Sequence, residues 1–350
     1  MLTDNPEFGE PYSFRLDELR DAAEAANRRW WIGRTVRQPI DREPCLYHYT
    51  SAEGLAGILQ SRALWATDTA FLNDWKEIGY AADPLVQRMA AALEDNVRPF
   101  FPNGRVELPV QNPQSFPLKP GMELYERLMV LGAARSMIDH FTGPNRAEIV
   151  RGNDLYLRGA TFVSCLSKDH DQLGQWRGYG KGGYAIGFRR DALAGSAPIL
   201  GAVQYGESAI KALCDRVIEH FASIEIAPSD GYQLGQSDGH PAERVGYVEA
   251  VSFCLPQVAL VKHEAFAQEN EWRLVVPRYD LDYSNIKVRA IGGRLIPYVE
   301  CPFEDDAISE IVIGPGGDLH SERAVLALLA ANEFNPDKVQ IAYSAAPFRG

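Results

Sequence analysis

The histidine at position 48 stands in the run "CLYHYT", residues 45–50, directly ahead of a helix signal. An imidazole there could exchange a proton or bind a hydroxyl. Side chains alternate along a strand, so His48 and Thr50 share one face and Tyr47 and Tyr49 the other. If the tyrosines pack in the core, His48 faces a cleft. The alternative is a structural histidine whose ring bonds a backbone carbonyl at a strand end.

A second group of candidate residues lies in "DQLGQWRGYGKGG", where Trp176, Arg177 and Tyr179 crowd a glycine-rich loop. Aromatic and guanidinium planes beside flexible backbone suit a planar ligand that carries phosphates. The glycines are weak support for a phosphate cradle, because the strand, GxGxxG and helix context is missing; they are Gly178, Gly180, Gly182 and Gly183. The alternative is a glycine-rich turn with Trp176 in the core.

The third group lies in "AQENEWRLVV", residues 267–276. In a strand, Glu271 and Arg273 share one face, and Trp272 and Leu274 share the other. We predict that the apolar face is buried and that the charged pair is displayed. The simple interpretation is an ion pair on a solvated strand. The alternative is a carboxylate that stabilises developing positive charge or accepts a ribose hydroxyl.

The elements that position these residues follow from hydrophobic periodicity and turn signals. Residues 1–44 are predicted as a lead-in with a helix over 14–31, and 45–350 as a single domain with a proline-rich insertion at about 99–120. Thr50 and Glu53 have the spacing of a capping box for the next helix. Residues 245–268 are predicted to be mainly helical. Strands mostly follow strands, which favours an antiparallel α+β architecture over a doubly wound one.

Composition limits the classes of function. The chain has 350 residues, of which 46% are hydrophobic, so it can bury a large core. A net charge of -12 argues against strong binding of duplex nucleic acid. The five cysteines are scattered without CxxC spacing, which indicates neither a zinc site nor a disulfide framework. Without a signal peptide or a long apolar run, we expect a cytoplasmic protein that is neither exported nor embedded in a membrane.

Several motifs together resemble a known family. "LYHYTSAEGLAGILQSRALWAT", "FLNDWKE", "FVSCLSKDHDQLGQWRGYGKGGYAIGF", "KHEAFAQENEWRLV" and "IVIGPG" occur in the order seen in the bacterial domain-of-unknown-function 2971 family. The resemblance spans about residues 45–316. That family brings no settled activity. Its first motif, here "HYTS" followed by "LAGILQSRAL", is similar to the opening of ADP-ribosyltransferases.

The second resemblance implies a fold and a substrate. The fold would be two small antiparallel sheets in a split sandwich with surrounding helices, and NAD would be the substrate, with no metal. By analogy, His48 bonds a ribose, and Glu271 holds the nicotinamide ribose and stabilises an oxocarbenium-like transition state. An aromatic ring stacks on nicotinamide, with Trp65, Phe71, Trp176, Tyr179 and Tyr184 as candidates, of which Tyr184 is expected in the core.

The full predicted site therefore combines a catalytic pair, Glu271 and His48, with residues that contact NAD. The contact residues are His48, Tyr49, Thr50, Ser51, Trp65, Phe71, Asn73, Asp74, Trp176, Arg177, Tyr179 and Arg273. Asn73 and Asp74 could position a ribose or the acceptor, or they could cap the helix that follows.

The leading hypothesis is an NAD-consuming ADP-ribosyltransferase-like enzyme, acting as a bacterial toxin or phage-defence effector on an unknown macromolecular acceptor. The second hypothesis is a catalytically inactive module that senses a nucleotide or docks a protein. The third is a metal-dependent nuclease that uses Glu264, Glu269 and Glu271.

Overall fold

The computed structural model describes residues 45–72, 76–97, 122–142, 160–181, 183–224, 241–278, 285–291 and 293–347. The strands are β1 Cys45–Thr50, β2 Ala63–Asp68, β3 Ala160–Ser167, β4 Tyr184–Arg189, β5 Ile199–Ala202, β6 Gln204–Tyr205, β7 Val261–Lys262, β8 Glu271–Arg278, β9 Lys287–Ile291, β10 Arg294–Pro302, β11 Ile308–Ile313 and β12 Gln340–Tyr343. The longer helices are α1 Ala52–Ser61, α2 Lys76–Val97, α3 Met122–Thr142, α4 Gly206–Ser223, α5 Pro241–Glu249 and α6 Leu319–Ala331.

Ten of the described strands form one large mixed sheet. Its order is β12-β11-β4-β1-β3-β2-β10-β9, and β8 and β5 join it through β3. Within this sheet β11 and β12 pair in parallel, and the other pairs are antiparallel. Strands β6 and β7 form a separate parallel ladder.

Strand β3 is the junction of the sheet. Along one edge it pairs with β8 over its whole length, from Ala160 to Ser167. Along the other edge it pairs first with β2, at Phe162 and Val163, and then with β1, at Ser167. Strands β1 and β2 therefore share one edge of β3 and separate along it.

Both faces of the central strands are covered by apolar residues. Val163 and Val275 contact a core built with helices α2 to α5. Their chain neighbours Phe162 and Leu274 contact a second core, to which α1 and α6 contribute. Because successive side chains of a strand point to opposite faces, β3 and β8 lie between the two cores.

Two local predictions need correction. The cap of α1 is Ser51, whose hydroxyl accepts a hydrogen bond from the Gly54 amide at 3.2 Å, and not Thr50. A serine one position later serves equally well as a cap, so the periodicity alone could not separate them. The predicted helix over 245–268 ends at Val258 and is followed by β7 and a short 3-10 segment, Glu264–Glu269.

The predicted mixture of helices and strands around a mostly antiparallel sheet is confirmed. The large sheet fits a pair of small sheets poorly, because β3 joins both sets of strands. The predicted helix over 14–31 and the proline-rich stretch at about 99–120 lie outside the described residues. Among the helices that the structure describes, none combines the length and apolar character that crossing a membrane requires.

Candidate functional site

A cleft of about 340 Å³, measured to its open mouth, lies where β1, β3 and β8 meet. The lining residues come from three separate segments of the chain: Tyr47, His48, Tyr49, Cys165, Leu166, Gln175, Tyr179, Glu269 and Glu271. The two residues predicted to be catalytic, His48 and Glu271, are thus brought into one cleft although they are far apart in sequence.

The imidazole of His48 connects β1 to β3. Its Nδ1 lies 2.9 Å from the carbonyl oxygen of Cys165. Burial lowers the pKa of His48 from 6.5 to about 4, so the ring is neutral at neutral pH. A carbonyl oxygen can only accept, so Nδ1 carries the proton and Nε2 is left as an acceptor. The structural and the ligand-binding interpretations of His48 are therefore compatible.

The neighbouring Tyr49 fixes the loop that follows β3. Its hydroxyl donates to the carbonyl oxygen of Asp169 at 2.6 Å and accepts from the Gln172 amide at 3.0 Å. Its ring meets Trp176 edge to face, with ring centroids 4.7 Å apart. Tyr49 therefore connects β1 to the segment that supplies Tyr179.

Glu271 is the centre of a buried ionic cluster. Arg273 donates to its carboxylate from Nε at 2.7 Å and from Nη2 at 3.1 Å. Lys262 Nζ lies 3.0 Å from Glu271 and 2.6 Å from Glu269. Burial alone would raise the pKa of Glu271, but the charges of Arg273 and Lys262 outweigh it and lower the pKa to about 2. The carboxylate is therefore ionised at every physiological pH.

The prediction that Glu271 and Arg273 are displayed on a solvated face is wrong. Glu271 is 5% exposed and Arg273 only 1%, although they share a face as predicted. The remaining guanidinium nitrogen, Nη1, donates to the Ala259 carbonyl oxygen at 2.7 Å. Pairing two carboxylates with two cations removes most of the penalty for burying charge, so this face can be buried as completely as the apolar one.

The aromatic side chain that reaches the cleft from the glycine-rich loop is Tyr179. It lies on a π-helical turn, Trp176–Gly180, and is 40% exposed. Trp176, in contrast, is fully buried, and its indole donates to Asp171 at 2.7 Å. Trp176 therefore packs in the core, as the alternative interpretation held, and does not line the cleft.

Close packing explains two of the glycines in this loop. A Cβ on Gly180 would lie 2.7 Å from the Trp176 ring, and one on Gly183 would lie 2.6 Å from the Thr50 carbonyl oxygen. Both positions therefore require glycine for close packing, which removes the support that they gave to a phosphate cradle.

The other predicted contact residues lie outside the cleft lining. Trp65 packs on Tyr298, with ring centroids 5.1 Å apart, and its indole donates to Ser61. Phe71 ends a short 3-10 turn after β2, and Arg177 is exposed next to Trp176. Thr50 is buried, and Ser51 caps α1. Arg273 lies behind Glu271. Tyr184 packs against the second core, as expected. Asn73 and Asp74 lie outside the described residues.

Six residues of the site are absent from the predicted contacts: Lys262, which lies behind the carboxylates, and the lining residues Tyr47, Cys165, Leu166, Gln175 and Glu269. Lys262 is 2% exposed and neutralises Glu269 and Glu271. The thiol of Cys165 forms a hydrogen bond with Glu271. Lys262 could have been identified from the sequence, because it is the single lysine of the motif "KHEAFAQENEWRLV". Nothing in the sequence distinguished Cys165 or Gln175, because their places depend on how β3 and the turn Leu173–Gln175 pack around the cleft.

Within the part of the chain that the structure describes, no group of three or more His, Cys, Asp or Glu side chains could hold a metal ion. Glu269 and Glu271 converge on the ammonium of Lys262 instead.

Comparison with known proteins gives one match. The family model described as protein of unknown function (DUF2971) matches residues 175–274. No curated protein and no solved structure matches the chain. The matched segment supplies four of the lining residues, Gln175, Tyr179, Glu269 and Glu271, whereas His48 precedes it. The recognition of the DUF2971 family from its motifs is therefore confirmed for residues 175–274.

Proposed function

We propose that the protein is an NAD-consuming enzyme of the ADP-ribosyltransferase type that breaks the bond between nicotinamide and ribose. The observation that carries this proposal is the convergence of His48 and Glu271 on one cleft. Had the two residues lined different surfaces, the resemblance of the first motif would have had no counterpart in space.

The local topology supports the finer proposal of a split sheet. Strands β1 and β2 separate along one edge of β3, and the His48 ring occupies the opening by donating to the Cys165 carbonyl. The cleft adjoins this separation, because β1 and β3 both contribute to its lining. We propose that this opening corresponds to the split of the ADP-ribosyltransferase sandwich.

In the proposed reaction one bond to the ribose breaks and one new bond forms. The C–N bond between ribose and nicotinamide breaks, its electron pair leaves with neutral nicotinamide, and positive charge develops on the ribose. A nucleophile of the acceptor then forms the new bond to the same carbon and loses its proton. Glu271, which is ionised, stabilises the positive charge. A well-placed group of this kind contributes about 3 kcal/mol to transition-state stabilisation.

The other side chains of the cleft have supporting roles in this proposal. His48 Nε2 accepts a hydrogen bond from a ribose hydroxyl. The ring of Tyr179 stacks on the positively charged pyridinium, to which the face of an aromatic ring is attractive. Arg177, exposed on the same turn, is assigned to the phosphates at the mouth of the cleft.

The test is nicotinamide release from labelled NAD by the wild type and by Glu271→Gln. We expect the substitution to lower the rate by about 100-fold or more, with the NAD-induced thermal shift retained, because the group acts mainly on the transition state. The matched control is Glu300→Gln, which alters a β10 carboxylate paired with Lys287 outside the cleft. Its rate should equal that of the wild type.

A second variant protects the test against misfolding. Glu271→Gln leaves Arg273 and Lys262 without a counter-charge, whereas Glu271→Asp keeps the charge and shortens the side chain. We expect Glu271→Asp to remain folded, to bind NAD and to release nicotinamide more slowly. Wild-type protein that releases no nicotinamide and shows no thermal shift with NAD would contradict the proposal.

One observation favours a second candidate, an inactive module that binds a nucleotide. Both carboxylate oxygens of Glu271 are already hydrogen-bonded to cations, which lowers the field that they exert on a ligand. An NAD-induced thermal shift without nicotinamide release would favour this candidate. The metal-dependent nuclease is tested in parallel, because its activity on nucleic acid would disappear with EDTA.

A further inference from the structure

Gln175 is a buried polar residue of the cleft that has no role in the proposed chemistry. It ends the helical turn Leu173–Gln175, is 7% exposed and lines the cleft. Its side-chain amide makes no hydrogen bond with any residue that the structure describes. A side-chain amide that lines a cleft without a protein partner can bond a ligand there, because it offers two N–H donors and one acceptor oxygen.

The surrounding charges indicate what that ligand is. Among the described residues that line the cleft, the ionised groups are the carboxylates Glu269 and Glu271, while His48 is neutral. Lys262 and Arg273 lie behind these carboxylates and are at most 2% exposed. The lining therefore suits a neutral or positively charged ring with hydrogen-bond donors, and it disfavours phosphate or a free carboxylate.

We infer that Gln175 is the residue that recognises the carboxamide of the nicotinamide ring and thereby selects the amide over the acid form of the ligand. Its Oε1 accepts from the carboxamide NH₂, and its Nε2 donates to the carboxamide oxygen. Nicotinic acid has no N–H to donate, and its carboxylate would lie near Glu269 and Glu271. The inference rests on the proposed use of the cleft for NAD, and it concerns binding and not bond cleavage.

The test is calorimetric titration with nicotinamide riboside and with nicotinic acid riboside, both of which lack the phosphates and adenosine. Wild-type protein should prefer the amide by at least tenfold, the size expected for one or two hydrogen bonds left unmade. Gln175→Leu keeps the volume and should reduce this preference to about threefold or less, mainly by weakening binding of the amide.

A second variant, at the same position, separates ligand recognition from a purely structural role of Gln175. Gln175→Glu keeps an acceptor for the NH₂ group and adds a negative charge, so it should retain part of the amide affinity and reject the acid more strongly than the wild type. The matched control is Gln60→Leu, which alters an exposed glutamine of helix α1 and should leave both affinities unchanged.

The outcomes separate this inference from the proposed function. Equal affinities of the wild type for the two ribosides, no binding of either, or an unchanged preference in Gln175→Leu would overturn the role of Gln175. Nicotinamide release from NAD would still support the enzyme in each of these cases. Selective binding of the amide without any release would instead support the recognition site and overturn the enzyme.

Discussion

The neutral imidazole of His48 has a single N–H, and the carbonyl oxygen of Cys165 accepts it. This bond fixes the tautomer, so the same ring that joins β1 to β3 offers a lone pair at Nε2. Burial lowers the pKa of the ring from 6.5 to about 4, so protonating it works against the folded state. The residue is thus linked both to ligand binding and to stability.

A prediction at this scale concerns the dependence of stability on pH. The folded-state pKa of His48 is below its unfolded value, so its contribution is complete above pH 6.5 and is lost as the pH falls toward 4. The total is on the order of 3 kcal/mol. Glu271, with its pKa lowered from 4.5 to about 2, loses its contribution as the pH falls from about 4.5 toward 2.

Asparagine does not titrate in this range. Between pH 7 and pH 4.5 we therefore expect the unfolding free energy of the wild type to fall by about 2 kcal/mol more than that of His48→Asn. Urea unfolding at a series of pH values measures this difference. His320→Asn, which alters an exposed histidine of helix α6, should show the pH dependence of the wild type. Identical pH profiles for wild type and His48→Asn would contradict the assignment.

At the scale of elements, the segment from Asp169 to Gly180 is held by contacts with β1, with Gln268 and Asn270, and with residues 344–345. The hydroxyl of Tyr49 satisfies two backbone groups of this segment, and its ring packs on Trp176. The π-helical turn at the end of the segment carries Tyr179 into the cleft. The position of the stacking aromatic therefore depends on a second tyrosine of the cleft lining.

We predict that Tyr49→Phe destabilises the protein by about 1–3 kcal/mol, because a backbone N–H and a backbone C=O lose their buried partner. The segment 169–180 should show faster amide hydrogen exchange, and NAD binding should weaken. Tyr343→Phe is the matched control, since it removes a hydroxyl bonded to Glu322 on the surface. Unchanged exchange in the segment would show that something else holds it.

At the scale of the whole molecule, two cores are built on the same central strands. Phe162 and Leu274 belong to one core, and Val163 and Val275 belong to the other. Since β3 and β8 contribute to both, loss of either core removes support from the cleft, which these strands line. The two cores should therefore unfold together.

This coupling predicts the behaviour of two truncations. Phe162→Ala in one core and Leu213→Ala in the other, both of fully buried residues, should each lower the unfolding free energy by about 3–4 kcal/mol. Each should shift one common transition, followed by circular dichroism and tryptophan fluorescence. Val288→Ala, at a position 55% exposed, should change little. Two separate transitions, each sensitive to one substitution, would show independent cores.

The sequence by itself predicted most of the strands and helices, the shared face of Glu271 and Arg273, and the match to the DUF2971 family over residues 175–274. These properties follow from local periodicity and from short motifs, which need no knowledge of distant contacts. The candidate pair His48 and Glu271 also came from the sequence, although only as two separate positions.

Only the tertiary structure decided which candidates share a cleft. Side-chain alternation shows what lies on one face of a strand, but not what covers that face. The charged face of β8 is buried because Lys262, from another element, neutralises it. Trp176 and Tyr179 were equal candidates in the sequence. The π-helical turn places Trp176 in the core and Tyr179 in the cleft. Such long-range pairing brings together residues that no local pattern relates.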